Sequence, residues 1–148
     1  MLLQKEVSNA MDRCDGIPID RVAFSKQLQQ LAEKWGDETA LVDVSRDGSE
    51  RALSRRELFE AIEKVACHLN DRNVQQGDYV VIALPNGYEN VVATLAAWQL
   101  GACCVFMPPK GTDEERNHIH ALFERKLLIS TWDCDDEDCI SQQDVRNW

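Results

Sequence analysis

Glycine is sparse in this chain and never clustered: Gly16, Gly36, Gly48, Gly77, Gly87, Gly101 and Gly111 stand at least ten residues apart. No loop can therefore cradle a triphosphate through neighbouring backbone amides, the device that phosphate-binding loops depend on. Basic residues are also short, 16 against 26 acidic ones, for a formal net charge of −10. That balance repels phosphate backbones and anionic lipid heads, which excludes nucleic acid as a partner. A basic stretch leading into an apolar run is missing from the start, Met1-Leu2-Leu3-Gln4-Lys5-Glu6, so no secretory signal is read there and the cytoplasm is the expected location. Long apolar runs are missing too. The longest uncharged one, Asn90 to Pro109, is broken by Gly101 and Pro108-Pro109 and carries polar Asn90 and Gln99, which argues for a buried helix and strand and against a membrane span.

What remains is ordinary globular material. The 148 residues, 44% hydrophobic and 28% charged, suit one domain with one core. Six cysteines, Cys14, Cys67, Cys103, Cys104, Cys134 and Cys139, would suit a disulfide framework in a secreted chain. Without a leader, reduced core thiols are expected, with Cys103 and Cys104 as small apolar fillers of a buried strand.

Local patterns place the elements. From Asp20, the spacing of Phe24, Leu28, Leu31, Ala32 and Trp35 predicts a helix that stops at Gly36. Thr39 to Val44, the Asp47-Gly48 turn and Arg51 to Leu53 read as a hairpin. Ser54 and Glu57 form a capping box for a helix with the apolar stripe Phe59, Ile62, Val65, Ala66 and Leu69. Tyr79 to Leu84 has the continuous apolar character of a parallel strand covered on both faces, and Pro85 ends it. A helix over 88–100 closed by Gly101, a second buried strand over 102–106, a helix capped by Thr112 and a strand over 127–130 follow. The predicted fold is α/β: a largely parallel sheet with helices on both faces plus an N-terminal β-hairpin. The chain divides into a flexible lead-in over 1–17, the α/β unit over 18–132, and an acidic loop and C-terminal end over 133–148.

Several strings in this order resemble the N-terminal region of the AMP-forming adenylating superfamily of acyl-CoA synthetases, adenylation domains and luciferases. Leu53-Ser54-Arg55-Arg56-Glu57-Leu58 resembles its early helix start, Gly77-Asp78-Tyr79-Val80-Val81 its strand entry, and Leu84-Pro85-Asn86-Gly87-Tyr88-Glu89 its strand-to-helix turn. Leu100-Gly101-Ala102 with Pro108, and the Glu115-Arg116 helix leading to Leu127, continue the likeness, while Cys103-Cys104 and Met107-Pro108-Pro109 depart from it. The resemblance implies an N-terminal subdomain of an adenylate-forming ligase. Full-length members make an acyl-AMP from a carboxylate and ATP and pass the acyl group to a thiol, so ATP, Mg and coenzyme A are implied for the parent and no cofactor for this chain. The phosphate loop, ribose-binding Asp and catalytic Lys of the family lie downstream of such a region, so no catalytic residue is assigned here.

Pro85, Asn86 and Gly87 follow a buried parallel strand, where open α/β sheets place ligands, and form the candidate substrate-binding segment. The competing reading makes Asn86 the cap of the following helix and Gly87 the relief of its turn. His118 and His120, two apart on a helix, point to opposite sides and cannot chelate together, and His68 beside Cys67 makes no catalytic pair. Cys134 to Cys139 encloses four carboxylates, which raise thiol pKa values and suit a solvated loop better than zinc, so no metal site is expected. Trp35 and Trp98 are expected in the core, and Trp132 and Trp148 partly exposed beside the last strand.

The leading expectation is a structural subdomain of a carboxylic acid–CoA ligase, forming one wall of its acyl cleft. The alternatives are a free-standing interaction module or half of a split ligase, and a small-ligand-binding α/β domain with its mouth at Pro85 to Tyr88. The expected partners are the downstream portion of the ligase and a second copy docked on uncovered surface.

Overall fold

The computed structural model describes residues 24–45, 47–122, 124–132 and 138–148. Helix α1 (Phe24–Trp35) leads into strands β1 (Thr39–Val44) and β2 (Glu50–Ser54), then α2 (Arg55–Asp71) and β3 (Tyr79–Ala83). Helix α3 (Tyr88–Gln99), β4 (Cys103–Phe106), α4 (Asp113–Leu122), β5 (Arg125–Ser130), β6 (Cys139–Ser141) and α5 (Gln142–Asn147) complete the order. The lead-in over 1–17 and the heart of the acidic segment, 133–137, lie outside the described residues.

Helix starts follow short-range chemistry. Ser54 Oγ accepts the Glu57 amide at 3.2 Å while the Glu57 carboxylate accepts the Ser54 amide at 2.8 Å, closing the expected capping box. Thr112 and Glu115 repeat the arrangement for α4 at 3.2 and 2.8 Å. At the far end of α3, Gly101 takes φ 76, and a β-carbon there would meet Gln76 Cγ at 3.0 Å, so glycine's left-handed freedom and small size are both used.

β1 and β2 form an antiparallel hairpin, and the other strands form a fully parallel sheet in the order β4-β3-β5-β6. Strand periodicity sends Val80, Ile82, Leu127, Ile129 and Ile140 to one face and Val81, Ala83 and Leu128 to the other. On the first face they join Ile62, Val65 and Leu69 of α2, Val92, Ala93, Ala96 and Ala97 of α3, and Val145 of α5. Four small or β-branched residues on α3, all fully buried, let that helix lie close to the strands. The second face is covered more thinly, by Met107 and by Ile119 of α4 with Val105 and Trp132.

Three expectations need correction. β4 is an edge strand, so it is not buried: Cys103 is exposed, Cys104 half-buried and Phe106 55% exposed. Trp98 is 48% exposed and meets only the edge of Phe24, at 6.2 Å between ring centroids among its aromatic neighbours, while Trp35 is half-buried. The core side of α3 is taken by alanines, which leaves no room there for an indole. Within the segment 133–148, read from the sequence as an acidic loop and C-terminal end, residues 139–147 form β6 and α5. Ile140 and Val145 from these two elements are fully buried.

The cysteines also divide differently from expectation. Cys67, Cys103 and Cys104 are free thiols, whereas Cys139 is disulfide-bonded. Pairing is decided by proximity, which a sequence does not display.

Candidate functional site

In the sheet, the chain leaves β3 sideways to β4 and then jumps back over β3 to β5, whose own continuation runs outward to β6. Connections therefore part in opposite directions at β3 and β5, and the carboxyl ends of these two strands mark the switch point, the position at which open α/β sheets bind ligands. Pro85-Asn86-Gly87 leaves β3 at this end. Pro85 and Asn86 are exposed and Gly87 is half-buried, so the segment offers surface at this end of the sheet.

Asn86 does not cap α3. The N-cap is Gly87, which makes no side-chain cap hydrogen bond and holds φ 155 with ψ −171. That backbone region is nearly closed to any residue with a β-carbon. Such an atom at Gly87 would also stand 3.3 Å from Asp43 Oδ1 of β1, so the hairpin presses directly on the turn. The next residues brace it from behind. Asn90 Nδ2 donates to the Leu84 carbonyl at 3.1 Å, tying the first turn of α3 to the strand exit.

Glu89 is 4% exposed, and its carboxylate accepts hydrogen bonds from Arg146 Nε and, at 3.2 Å, from Gln142 Nε2, both on α5. Burial pushes this carboxyl up, but the Arg146 hydrogen bond, with help from the backbone, Gln142 and the guanidinium charge, outweighs it and holds the group below its ordinary value of 4.5. The result is a clamp between α3 and α5 immediately behind Gly87. In the sequence Glu89 stands within a motif and carries no assigned role, and Arg146 and Gln142 are not among the sequence-predicted site residues. One signal could have found them: Ser141 and Asp144 form a capping box, with Ser141 Oγ accepting the Asp144 amide at 3.1 Å, which announces α5.

Beside the clamp lies a polar groove of about 260 Å³ lined in part by Arg51, Lys64, Tyr88, Arg146 and Trp148. Glu57 and Glu60 share its lining, and Arg146 is committed to Glu89, so the groove is not a strong anion site. Arg51 stacks over the Tyr88 ring at 4.3 Å, and Trp148 stacks on His68 at 4.2 Å. His68 is thereby engaged with an aromatic ring and is not aligned with Cys67.

The remaining candidates stay dispersed. His118 is exposed, and among the described residues no three His, Cys, Asp or Glu side chains gather as metal ligands. Cys104 is a poor nucleophile, because burial, with the neighbouring Cys103, pushes its thiol up to about 11. Ser130 is buried at the end of β5, where its hydroxyl donates to the Trp132 carbonyl at 3.2 Å and closes the exit turn. Trp132 is half-buried beneath the Arg116 guanidinium, at 4.6 Å, and Trp148 is half-buried as well. Among the described residues no helix is long and apolar enough to cross a membrane.

A sequence profile described as AMP-binding enzyme matches residues 28–147. The chain belongs to the AMP-binding enzyme family. Among curated relatives of this family, a salicylyl-CoA synthase / salicylate adenylyltransferase from Streptomyces is 33% identical over 94 residues, covering 64% of this chain and 16% of the relative. An acetyl-coenzyme A synthetase from Marinobacter nauticus is 40% identical over 81 residues, covering 54% and 12%. The fold matches the Klebsiella oxytoca NpsA N-terminal subdomain, solved with 3-hydroxybenzoyl-AMSN, at TM-score 0.70 and 20% identity over 84% of this chain and 31% of that one. It also matches the Bacillus subtilis O-succinylbenzoate coenzyme A synthetase, solved with AMP, at TM-score 0.67 and 24% identity over 82% and 32%. This chain thus corresponds to the N-terminal part of AMP-forming ligases and spans about a sixth of the salicylate-activating relative's length.

Proposed function

We propose that this chain is the N-terminal structural subdomain of an AMP-forming carboxylic acid–CoA ligase, contributing one wall of the acyl-binding cleft and no catalytic residue of its own. The observation that carries this reading is the Pro85-Asn86-Gly87 segment at the switch point, with Pro85 and Asn86 exposed, braced from behind by Asn90 and by the Glu89–Arg146 clamp. Such a rigid, uncharged surface suits the apolar body of an acid. It does not suit a triphosphate: the glycines stand singly, and the cations near the segment are balanced by carboxylates. ATP, Mg and coenzyme A accordingly belong to the whole ligase, in the cytoplasm, and the chain's own partner is the portion of the ligase that supplies the phosphate loop and lysine.

The test is a transplant. Residues 28–147 replace the matching segment of the salicylate-activating relative from Streptomyces, and salicylate-dependent exchange of pyrophosphate into ATP is measured. Retained exchange is expected, with the KM for the acid raised by Asn86→Trp and the KM for ATP unchanged. A folded chimera without exchange would overturn the reading, as would ATP turnover by the 148-residue chain alone.

A further inference from the structure

Asn86 is the only asparagine of the chain followed by glycine; Asn9, Asn70, Asn73, Asn90, Asn117 and Asn147 all precede residues with a β-carbon. The order matters because the side-chain carbonyl carbon of an asparagine is within reach of the next residue's amide nitrogen, and a β-carbon on that residue crowds the approach. Whether the two groups can react is then a question of the fold, since both must be free. Asn86 is exposed, and its side chain makes no hydrogen bond among the described residues. Gly87 is the N-cap of α3, where the first N–H groups have no partner within the helix, and its amide donates to no group among the described residues.

The other described asparagines differ at the nitrogen that would have to attack. After Asn73, the Val74 amide donates to the Leu69 carbonyl at 3.1 Å. After Asn90, the Val91 amide donates to Gly87 at 3.2 Å, and after Asn147 the Trp148 amide donates to Asp144 at 3.1 Å. Asn70 and Asn117 lie inside α2 and α4, where the next amide is held by the carbonyl a turn earlier. Asn90 is tied at its side chain too, by the bond to Leu84, as is Asn147, which accepts from Gln143 Nε2 at 2.8 Å.

We infer that Asn86 is a site of self-modification, converting to aspartate and isoaspartate by attack of the Gly87 nitrogen. A bond forms between that nitrogen and Asn86 Cγ, the Cγ–Nδ2 bond breaks, and Nδ2 leaves as ammonia with the proton that the Gly87 nitrogen gives up. Water then opens the succinimide. Attack at Cγ yields aspartate, attack at the main-chain carbonyl yields isoaspartate, and in either case a proton returns to the nitrogen. Neither step changes an oxidation state, and water is the only co-reactant. The product carries a carboxylate where the switch point had an uncharged amide, next to the glycine against which Asp43 already stands 3.3 Å from a would-be β-carbon. The isoaspartyl form also adds one carbon to the backbone of this turn. The inference stands whether or not the segment lines an acyl cleft.

The experiment holds the folded 148-residue chain in mildly alkaline buffer and maps its peptides by tandem mass spectrometry, with an isoaspartate-specific methyltransferase as a second readout. Asn86 is expected to be lost to both products while Asn70, Asn73, Asn90, Asn117 and Asn147 persist. The loss slows toward acid, because the nucleophile is the deprotonated amide. Asn86→Gln, whose longer side chain closes a larger ring more slowly, abolishes the methyltransferase signal. Survival of Asn86 in the folded chain would overturn the inference, and conversion only in guanidinium would show that the fold holds the two groups apart. Equal loss at Asn73 or Asn90 in the folded chain would overturn it as well, since their bonded neighbours would then give no protection.

Discussion

Gly87 shows how much one residue can carry. Its φ of 155 means that Gly87→Ala forces backbone strain, and the Asp43 carboxylate, 3.3 Å from a would-be β-carbon, must also shift slightly. Urea denaturation of that variant should show a loss of about 1–3 kcal/mol. Glu89 is the second such residue. Because its folded pKa lies below the ordinary 4.5, its contribution is fully present above that value and disappears as pH falls through the lower, folded one. Glu89→Gln should therefore cost about 1–2 kcal/mol at pH 7, discounted because Arg146 is half exposed, and progressively less once the solution is more acid than the ordinary carboxylate value. Stability curves at neutral and acid pH check the sign; a cost that grew toward acid would contradict the clamp. Both residues stand in a string that the sequence singled out, yet the strain at one and the buried charge at the other depend on groups from β1 and α5.

Among the elements, β6 and α5 are the least conspicuous in the sequence and among the best anchored in the fold. β6 adds only three residues to the sheet, Leu128 facing Cys139, Ile129 facing Ile140 and Ser130 facing Ser141, but it seats Ile140 in the core. Ile140→Ala should cost about 2–5 kcal/mol, whereas Ser54→Ala, which removes an exposed cap of the much longer α2, should cost about 1 kcal/mol. Thermal and denaturant unfolding of the two variants would rank them. The reverse order would show that β6 is not part of the cooperative unit. The strand was hard to read because three residues are too few to reveal a period, and the acidic stretch before it looks like solvent-exposed chain. α5 was legible in principle, from Ser141 and Asp144, but six residues carry too little apolar patterning to separate a helix from a turn.

At the scale of the whole molecule, the two faces of the sheet are unequally clothed. α2, α3 and α5 bury one face thoroughly, while α4 sends Ile119 to the other and leaves Leu122 65% exposed. Phe106, on β4, stands 55% exposed beside a strand edge that no other strand among the described residues pairs. Edges of this kind recruit other strands. Sedimentation of the chain should show concentration-dependent self-association that Phe106→Lys suppresses without changing the unfolding free energy by more than about 0.5 kcal/mol, as expected of a surface position. Identical sedimentation of the two proteins would argue that this edge plays no part in association.

What the sequence determined by itself is everything governed by groups a few residues apart: the capping boxes at Ser54 and Thr112, the left-handed stop at Gly101, the hairpin, and the doubly covered strand at 79–84. From the order of those elements the parallel α/β class and the family likeness were also legible. Only the tertiary structure decided which strand became the edge, and so exposed Cys103 and Phe106. It alone put alanines rather than Trp98 against the sheet, and brought Arg146 to Glu89 across more than fifty residues of chain. Local periodicity reports which face of an element is apolar; which neighbour covers that face depends on strand order and closure over long loops, and no short-range interaction encodes them.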